Sequence, residues 1–107
     1  MLINGVNFSD DQIAAFCREN GVARLSLFGS ILREATPEGG YGFRPTSDVD
    51  MLAEFLPGRT PGLFFLGGMI TNLRAMLGRT VDLKTPEDLS RYFRHEVLRE
   101  ARLFHPA

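Results

Sequence analysis

The chain has 107 residues, of which 44% are hydrophobic and 23% charged, and its formal net charge is −1. This length predicts one domain over residues 1–107, and this composition is typical of a globular fold. A charge so close to zero argues against direct nucleic-acid binding, which normally requires a basic excess. Cys17 is the only cysteine, so an intrachain disulfide is excluded. With no leader and no long apolar run, we expect a cytoplasmic protein.

The first predicted elements are a helix and a strand. Ser9 can cap a helix that Asn20-Gly21 ends, because a polar side chain accepts free amides and glycine tolerates the left-handed turn. Polar and apolar residues alternate over residues 22–28, which predicts a strand. Gly29-Ser30 follows and opens a short predicted helix to about Ala35.

Residues 36–46 are predicted to form a loop, since glycine and proline are concentrated there. Two interpretations stay open. The segment can be a tolerated surface insertion, which we favour because loop closure costs rise slowly with length. It can also be a glycine-hinged flap with Tyr41 and Phe43 at its tip, touching a base or a partner.

The middle of the chain predicts a second strand over residues 48–55 and a helix that Thr60-Pro61 begins. Apolar residues spaced three and four apart predict one continuous core stripe along this helix. The stripe comprises Leu63, Leu66, Ile70, Leu73 and Leu77. Gly67-Gly68 in the same helix is interpreted as close packing against the sheet.

The C-terminal part predicts a third strand over residues 79–84 and a last helical segment from Thr85. The inner face of that segment is expected to comprise Leu89, Phe93, Val97, Ala101 and Phe104. The chain is therefore predicted to be α/β, with a small mixed sheet of about three strands, helices mainly on one face and the other face open.

Three aspartates form the candidate site. Asp48 and Asp50 lie two residues apart in a strand, so their side chains project from the same face and repel each other. A Mg²⁺ ion between them would relieve the repulsion and bind substrate phosphates. Asp82 lies alone in an apolar strand and is the candidate third carboxylate, or it pairs with a basic residue such as Arg79. Gly29-Ser30 can bring backbone amides close to a phosphate.

This arrangement of Gly-Ser, a spacer and Asp-apolar-Asp resembles the signature of the nucleotidyltransferase superfamily. Within it the chain is similar to the minimal nucleotidyltransferase family. The likeness runs from about Phe8 to Phe104, although the spacer between Ser30 and Asp48 is longer than usual. It rests on the residue ranges 27–33, 47–55, 61–64, 81–83 and 91–94.

The resemblance implies ATP as substrate and two Mg²⁺ ions as cofactors. Asp48 and Asp50 would hold both ions, and Asp82 would complete the ion that activates the attacking hydroxyl. Gly29 and Ser30 would contact the phosphates. For Arg33, a phosphate contact and a solvated charge are weighed evenly. Lys84 can touch the nucleotide or lie along apolar surface, and no role is assigned to it.

The resemblance also implies a biological role, the antitoxin of a bacterial toxin–antitoxin pair. Members of the family adenylylate a tyrosine hydroxyl of a HEPN-domain toxin. Two other classes stay open, a small-molecule nucleotidyltransferase and a non-catalytic module that blocks its partner. The acceptor, the base preference and the formation of a homodimer stay open as well.

Overall fold

The computed structural model describes residues 1–33 and 42–106. Its strands are β1 (Leu2–Ile3), β2 (Val6–Asn7), β3 (Val22–Phe28), β4 (Val49–Phe55), β5 (Val81–Lys84) and β6 (Arg102–His105). Its α-helices are α1 (Asp10–Asn20), α2 (Leu63–Leu77) and α3 (Arg94–Glu100). Short 3₁₀ helices span Gly29–Leu32 and Pro86–Asp88.

The main sheet has four strands in the order β5-β4-β3-β6. β4 and β5 run parallel, whereas β3 is antiparallel to both of its neighbours. β1 and β2 form a separate antiparallel hairpin. The predicted α/β class with a mixed sheet is confirmed, and β6 adds one strand to the three that were expected.

The first helix forms as its end residues predict. The Ser9 hydroxyl accepts a hydrogen bond from the Gln12 amide at 3.3 Å. Gly21 adopts a φ of 67° and its amide donates to the Cys17 carbonyl, which ends the helix. Cys17 is buried, and burial raises the pKa of its thiol to about 11. It is therefore a core residue rather than a reactive thiol.

The alternation of β4 decides where the carboxylates lie. Val49, Met51 and Ala53 point into the core that α1 and α2 cover. Asp50 and Leu52 point to the opposite face. Leu52 is only 2% exposed, so this second face is open at its carboxylate end rather than along its whole length.

The predicted core stripe of α2 is wrong at its N-terminal end. The helix begins at Leu63 after Gly62, not at Thr60, and Leu63 is 88% exposed. The rest of the predicted stripe is confirmed: Leu73 and Leu77 are buried beside Met69, and Leu66 and Ile70 pack partly buried against the core. Nearly every position in the first turns of α2 is apolar, so the period alone could not choose which face is buried.

The interpretation of Gly67-Gly68 as close packing is also wrong. A Cβ built on either glycine would meet no atom within 4 Å. The outer face of α2 at these positions is open.

We therefore expect Gly68→Ala to stabilise the protein. Alanine in a helix interior is favoured over glycine by about 0.5–1 kcal/mol, and here it meets no steric conflict. Thermal or urea unfolding measures the gain. Gly78→Ala is the control, because Gly78 also faces open space but has a φ of 65°, so that variant should lose stability. A loss for Gly68→Ala would contradict the open face.

The last segment is not one continuous helix. α3 ends at Glu100, and Ala101 leaves the helical region with φ −59° and ψ 136°. The chain then runs antiparallel to β3, and the Phe104 ring packs 5.2 Å from that of Phe8. Phe93, expected on the inner face, is 62% exposed. The free edge of β3 offers backbone partners, and these outweigh the helical period of the residues.

The segment after β3 also departs from the predictions. The helix expected to reach Ala35 is a single 3₁₀ turn that ends at Leu32, and Arg33 is extended. Phe43, which the less favoured flap interpretation placed at the tip, is instead buried in the core. Tyr41 and the rest of residues 34–41 lie outside the described residues. Neither described range has a helix long and apolar enough to cross a membrane.

Candidate active site

Two of the three aspartates are direct neighbours in the sheet. Asp50 of β4 pairs with Asp82 of β5 in the parallel register. Both point away from the core, because the flanking partners Val49 and Val81 are buried in it. Asp48 immediately precedes β4 and is exposed. The structure therefore brings Asp50 and Asp82 to one face, with Asp48 just before the N-terminal end of β4.

The charges at this site act on Asp50. Its pKa is raised from 3.8 to about 6, first by burial and then by the negative charges of Asp82 and Asp48. The Lys84 ammonium opposes this rise. A carboxylate whose pKa is raised in this way is stabilised by a bound cation, since the cation offsets both neighbouring negative charges.

Two polar side chains already engage the outer carboxylates. The Thr80 hydroxyl donates a hydrogen bond to Asp48 Oδ1. The Lys84 ammonium lies 3.6 Å from Asp82 Oδ2, in a pair exposed to solvent. Arg79, considered as a partner of Asp82, donates to backbone carbonyls instead. Thr80 was not among the residues predicted for the site, although its position two residues before Asp82 places both side chains on the same face of the chain.

The Gly29 turn lies directly against the Asp50 carboxylate. β3 ends at Phe28, whose cross-strand partner is Asp50, and Gly29 then turns with a φ of 75°. A Cβ on Gly29 would lie 2.5 Å from Asp50 Oδ2, far inside contact distance. Glycine is therefore required here for the backbone angle and for the space that the carboxylate occupies.

Gly29→Ala should disturb this site as well as the fold. The left-handed backbone would cost about 1–2 kcal/mol, and the added Cβ would push the Asp50 carboxylate aside. Gly58→Ala is a matched control, because Gly58 has the same φ of 75° with nothing within 4 Å.

Both variants should unfold at lower temperature, and only Gly29→Ala should lose Mg²⁺-dependent nucleotide affinity in titration calorimetry. Equal nucleotide affinity in the two variants would contradict the contact between Gly29 and Asp50.

The donor chemistry of this face fits a hard cation. Asp48 and Asp50 offer carboxylate oxygens, and Mg²⁺ is commonly held by one or two carboxylates together with substrate phosphates. Within residues 1–33 and 42–106, no group of three or more His, Cys, Asp or Glu side chains is arranged to hold a metal. A Mg²⁺ ion held by one or two of these carboxylates would complete its coordination with water or with nucleotide oxygens.

The Arg33 side chain contacts Glu100 rather than the three aspartates. Its guanidinium pairs with Glu100 of α3 at 3.7 Å, and both side chains are more than half exposed. An exposed pair of this kind is weak and can exchange with another anion. A phosphate contact by Arg33 stays a prediction.

Comparison with known proteins decides the family. A sequence profile described as the nucleotidyltransferase domain matches residues 10–105. The chain belongs to the nucleotidyltransferase domain family. A solved structure described as a minimal nucleotidyltransferase is 32% identical, with a TM-score of 0.64 over 86% of this chain and 85% of the other. No curated protein matches.

More distant solved structures share the nucleotidyltransferase fold. A toxin–antitoxin crystallised with AMP-PNP is 20% identical, with a TM-score of 0.66 over 94% of this chain and 75% of the other. The MntA–HepT toxin–antitoxin structure is 17% identical, with a TM-score of 0.61 over 92% and 70%. At this identity the likeness establishes the fold alone.

Proposed function

We propose that this nucleotidyltransferase transfers AMP from ATP, with Mg²⁺, to a tyrosine hydroxyl of a HEPN-domain toxin and so acts as its antitoxin. One observation carries the chemical part of the proposal. Asp50 and Asp82 are paired neighbours on one face, with Asp48 beside them and the Gly29 turn against Asp50.

Each residue has a distinct proposed role. Asp48 and Asp50 would hold two Mg²⁺ ions, and Asp82 would complete the coordination of one. When bound, the ions would supply charge stabilisation at the α-phosphorus and lower the pKa of the acceptor hydroxyl. Gly29 and Ser30 would direct backbone amides toward the triphosphate, because no side chain at Gly29 blocks their approach.

The reaction is an in-line displacement at the α-phosphorus. The acceptor oxygen forms a bond to this phosphorus, the bond to the bridging oxygen of the β-phosphate breaks, and pyrophosphate leaves. The hydroxyl proton passes to solvent. Through the Mg²⁺ ions that they would hold, the three carboxylates would supply positive charge where negative charge develops as the leaving group departs.

The proposed acceptor rests on similarity to known proteins rather than on a contact within the chain. The chain resembles the minimal nucleotidyltransferases, and its fold is shared with the MntA–HepT toxin–antitoxin and with a toxin–antitoxin crystallised with AMP-PNP. These likenesses favour a protein acceptor over a small molecule.

The proposal is tested with the protein encoded in the neighbouring reading frame, which we expect to be a helical toxin. The two proteins are incubated with ATP and Mg²⁺, and the intact mass of the partner is compared with and without chelator. We expect mass increments of one or more AMP groups that map to a tyrosine. A partner that is bound but never modified would support steric neutralisation instead.

A further inference from the structure

We propose that Arg79 is a positioning residue that fixes the backbone leading into Asp48. The inference rests on the proposed function, because it concerns the same carboxylates. Arg79 belongs to the segment that enters β5, yet its side chain reaches back to the segment that enters β4. It would hold Asp48 in the geometry that a Mg²⁺-bound nucleotide requires.

The contacts of Arg79 converge on the turn before Asp48. Its Nη2 donates to the Ser47 carbonyl at 2.7 Å and to the Arg44 carbonyl at 2.9 Å. Its guanidinium lies 4.5 Å from the centroid of the Phe43 ring. One cation therefore contacts three of the five residues that precede Asp48.

The turn that Arg79 holds is short and internally bonded. The Ser47 amide donates to the Arg44 carbonyl at 2.9 Å, and the Arg44 amide donates to the Ser47 hydroxyl at 3.0 Å. No helix or strand of the described residues includes this turn. Because hydrogen bonds from a charged donor are roughly twice as strong as neutral ones, the Arg79 contacts attach this turn firmly to the fold.

The residue after Arg79 secures the other side of Asp48. The Thr80 carbonyl accepts the Val49 amide at 2.9 Å, and the Thr80 hydroxyl donates to the Asp48 carboxylate. Arg79 and Thr80 together bind the backbone on both sides of Asp48 and the carboxylate itself. Asp48 is exposed, so packing does little to fix its position. These two residues supply that constraint.

The sign of the effect separates positioning from simple electrostatics. Removing a positive charge next to an acidic site should strengthen cation binding, because one repulsive charge is lost. Removing a residue that orients a metal ligand should weaken binding, on the order of tenfold to a hundredfold. The positioning role therefore predicts a change opposite to that expected from charge alone.

The test compares three variants by calorimetric titration of ATP with Mg²⁺ and by hydrogen exchange at the Val49 amide. Arg79→Gln should weaken nucleotide binding by about tenfold or more and speed Val49 exchange. Arg79→Lys keeps a cationic donor and should recover part of the affinity. Phe43→Leu is the control, because it removes the ring beneath the guanidinium and lowers the melting temperature while keeping both donor contacts.

Nucleotide affinity equal to or tighter than wild type in Arg79→Gln, with normal Val49 exchange, would overturn the proposal. If Phe43→Leu loses as much nucleotide affinity as Arg79→Gln, the effect of Arg79 is one of general stability rather than of positioning. If Arg79→Gln does not fold, the same measurements are made on Arg79→Lys. Wild-type Val49 exchange together with undiminished nucleotide affinity in that variant would then count against the positioning role. Asp50→Asn separates the two proposals: unchanged Mg²⁺-dependent affinity there defeats the proposed function, while Val49 exchange still reports on Arg79.

Discussion

Asp50→Asn should abolish AMP transfer while making the metal-free protein more stable at neutral pH. The variant keeps the size of the side chain that packs against Gly29 and removes the charge that would hold the cation. Metal-dependent charge stabilisation is worth several kcal/mol, so transfer should fall by at least about a hundredfold. Loss of activity and gain of stability in one variant distinguishes a functional carboxylate from a structural one.

The stability gain should depend on pH in a defined direction. Folding raises the pKa of Asp50 from 3.8 to about 6, so the folded state binds its proton more tightly than the unfolded state. The wild type therefore loses stability as pH rises through this window, and the loss is nearly complete by about pH 7. After allowance for solvent screening of this partly buried group, the loss is about 1 kcal/mol.

Urea unfolding of both proteins in chelator at several pH values between 4 and 8 measures this difference. The two stability curves should nearly coincide at pH 4 and diverge by pH 7, with the Asn variant more stable. Wild-type protein that gains stability relative to Asp50→Asn as pH rises would show that Asp50 is ion-paired in the fold. That outcome would contradict the repulsion between Asp50 and its neighbouring carboxylates.

Asp82→Asn should lower transfer about a hundredfold with little change in ATP affinity. If Asp48 and Asp50 retain the ion that binds the triphosphate, Asp82 serves mainly the ion beside the incoming hydroxyl. The lost interaction then develops in the transition state, so turnover falls and ground-state binding does not. Steady-state transfer and calorimetric ATP affinity, measured on the same variant, report the two quantities separately.

Lys84→Met is the matched control for Asp82. It removes the pair between Lys84 and Asp82 and leaves the carboxylate in place. Because both side chains of this pair are about 40% exposed, the change in stability should stay below about 1 kcal/mol. Near-normal transfer in Lys84→Met and large loss in Asp82→Asn support a catalytic Asp82. Equal losses would mean that the ion pair, or a contact of Lys84 with the nucleotide, matters rather than the carboxylate chemistry of Asp82.

The local pattern of the sequence was sufficient to predict the strands that carry the site. β3 spans the predicted residues 22–28 because alternation and the flanking glycines agree there. Asp50 and Asp82 lie in strands that were predicted from their apolar neighbours. That these strands are adjacent and parallel follows from the crossover helix α2 between them, which is a typical parallel connection.

The parts that were not predicted depend on tertiary contacts. β6 forms because β3 has a free edge, which the local helical period of residues 94–104 does not reveal. The buried face of α2 was ambiguous because its first turns are apolar on all sides. The contact between Gly29 and the Asp50 carboxylate joins two strands across their ends, and no spacing in the sequence specifies it.

Calorimetric titration of ATP, once with Mg²⁺ and once with chelator, tests the proposed nucleotide site itself. Asp48 and Asp50 are proposed to form a cation-dependent nucleotide site, so wild-type protein should bind ATP with Mg²⁺ and lose most of that affinity in chelator. Asp50→Asn should bind weakly under both conditions. Equal wild-type affinity with and without Mg²⁺ would contradict the account.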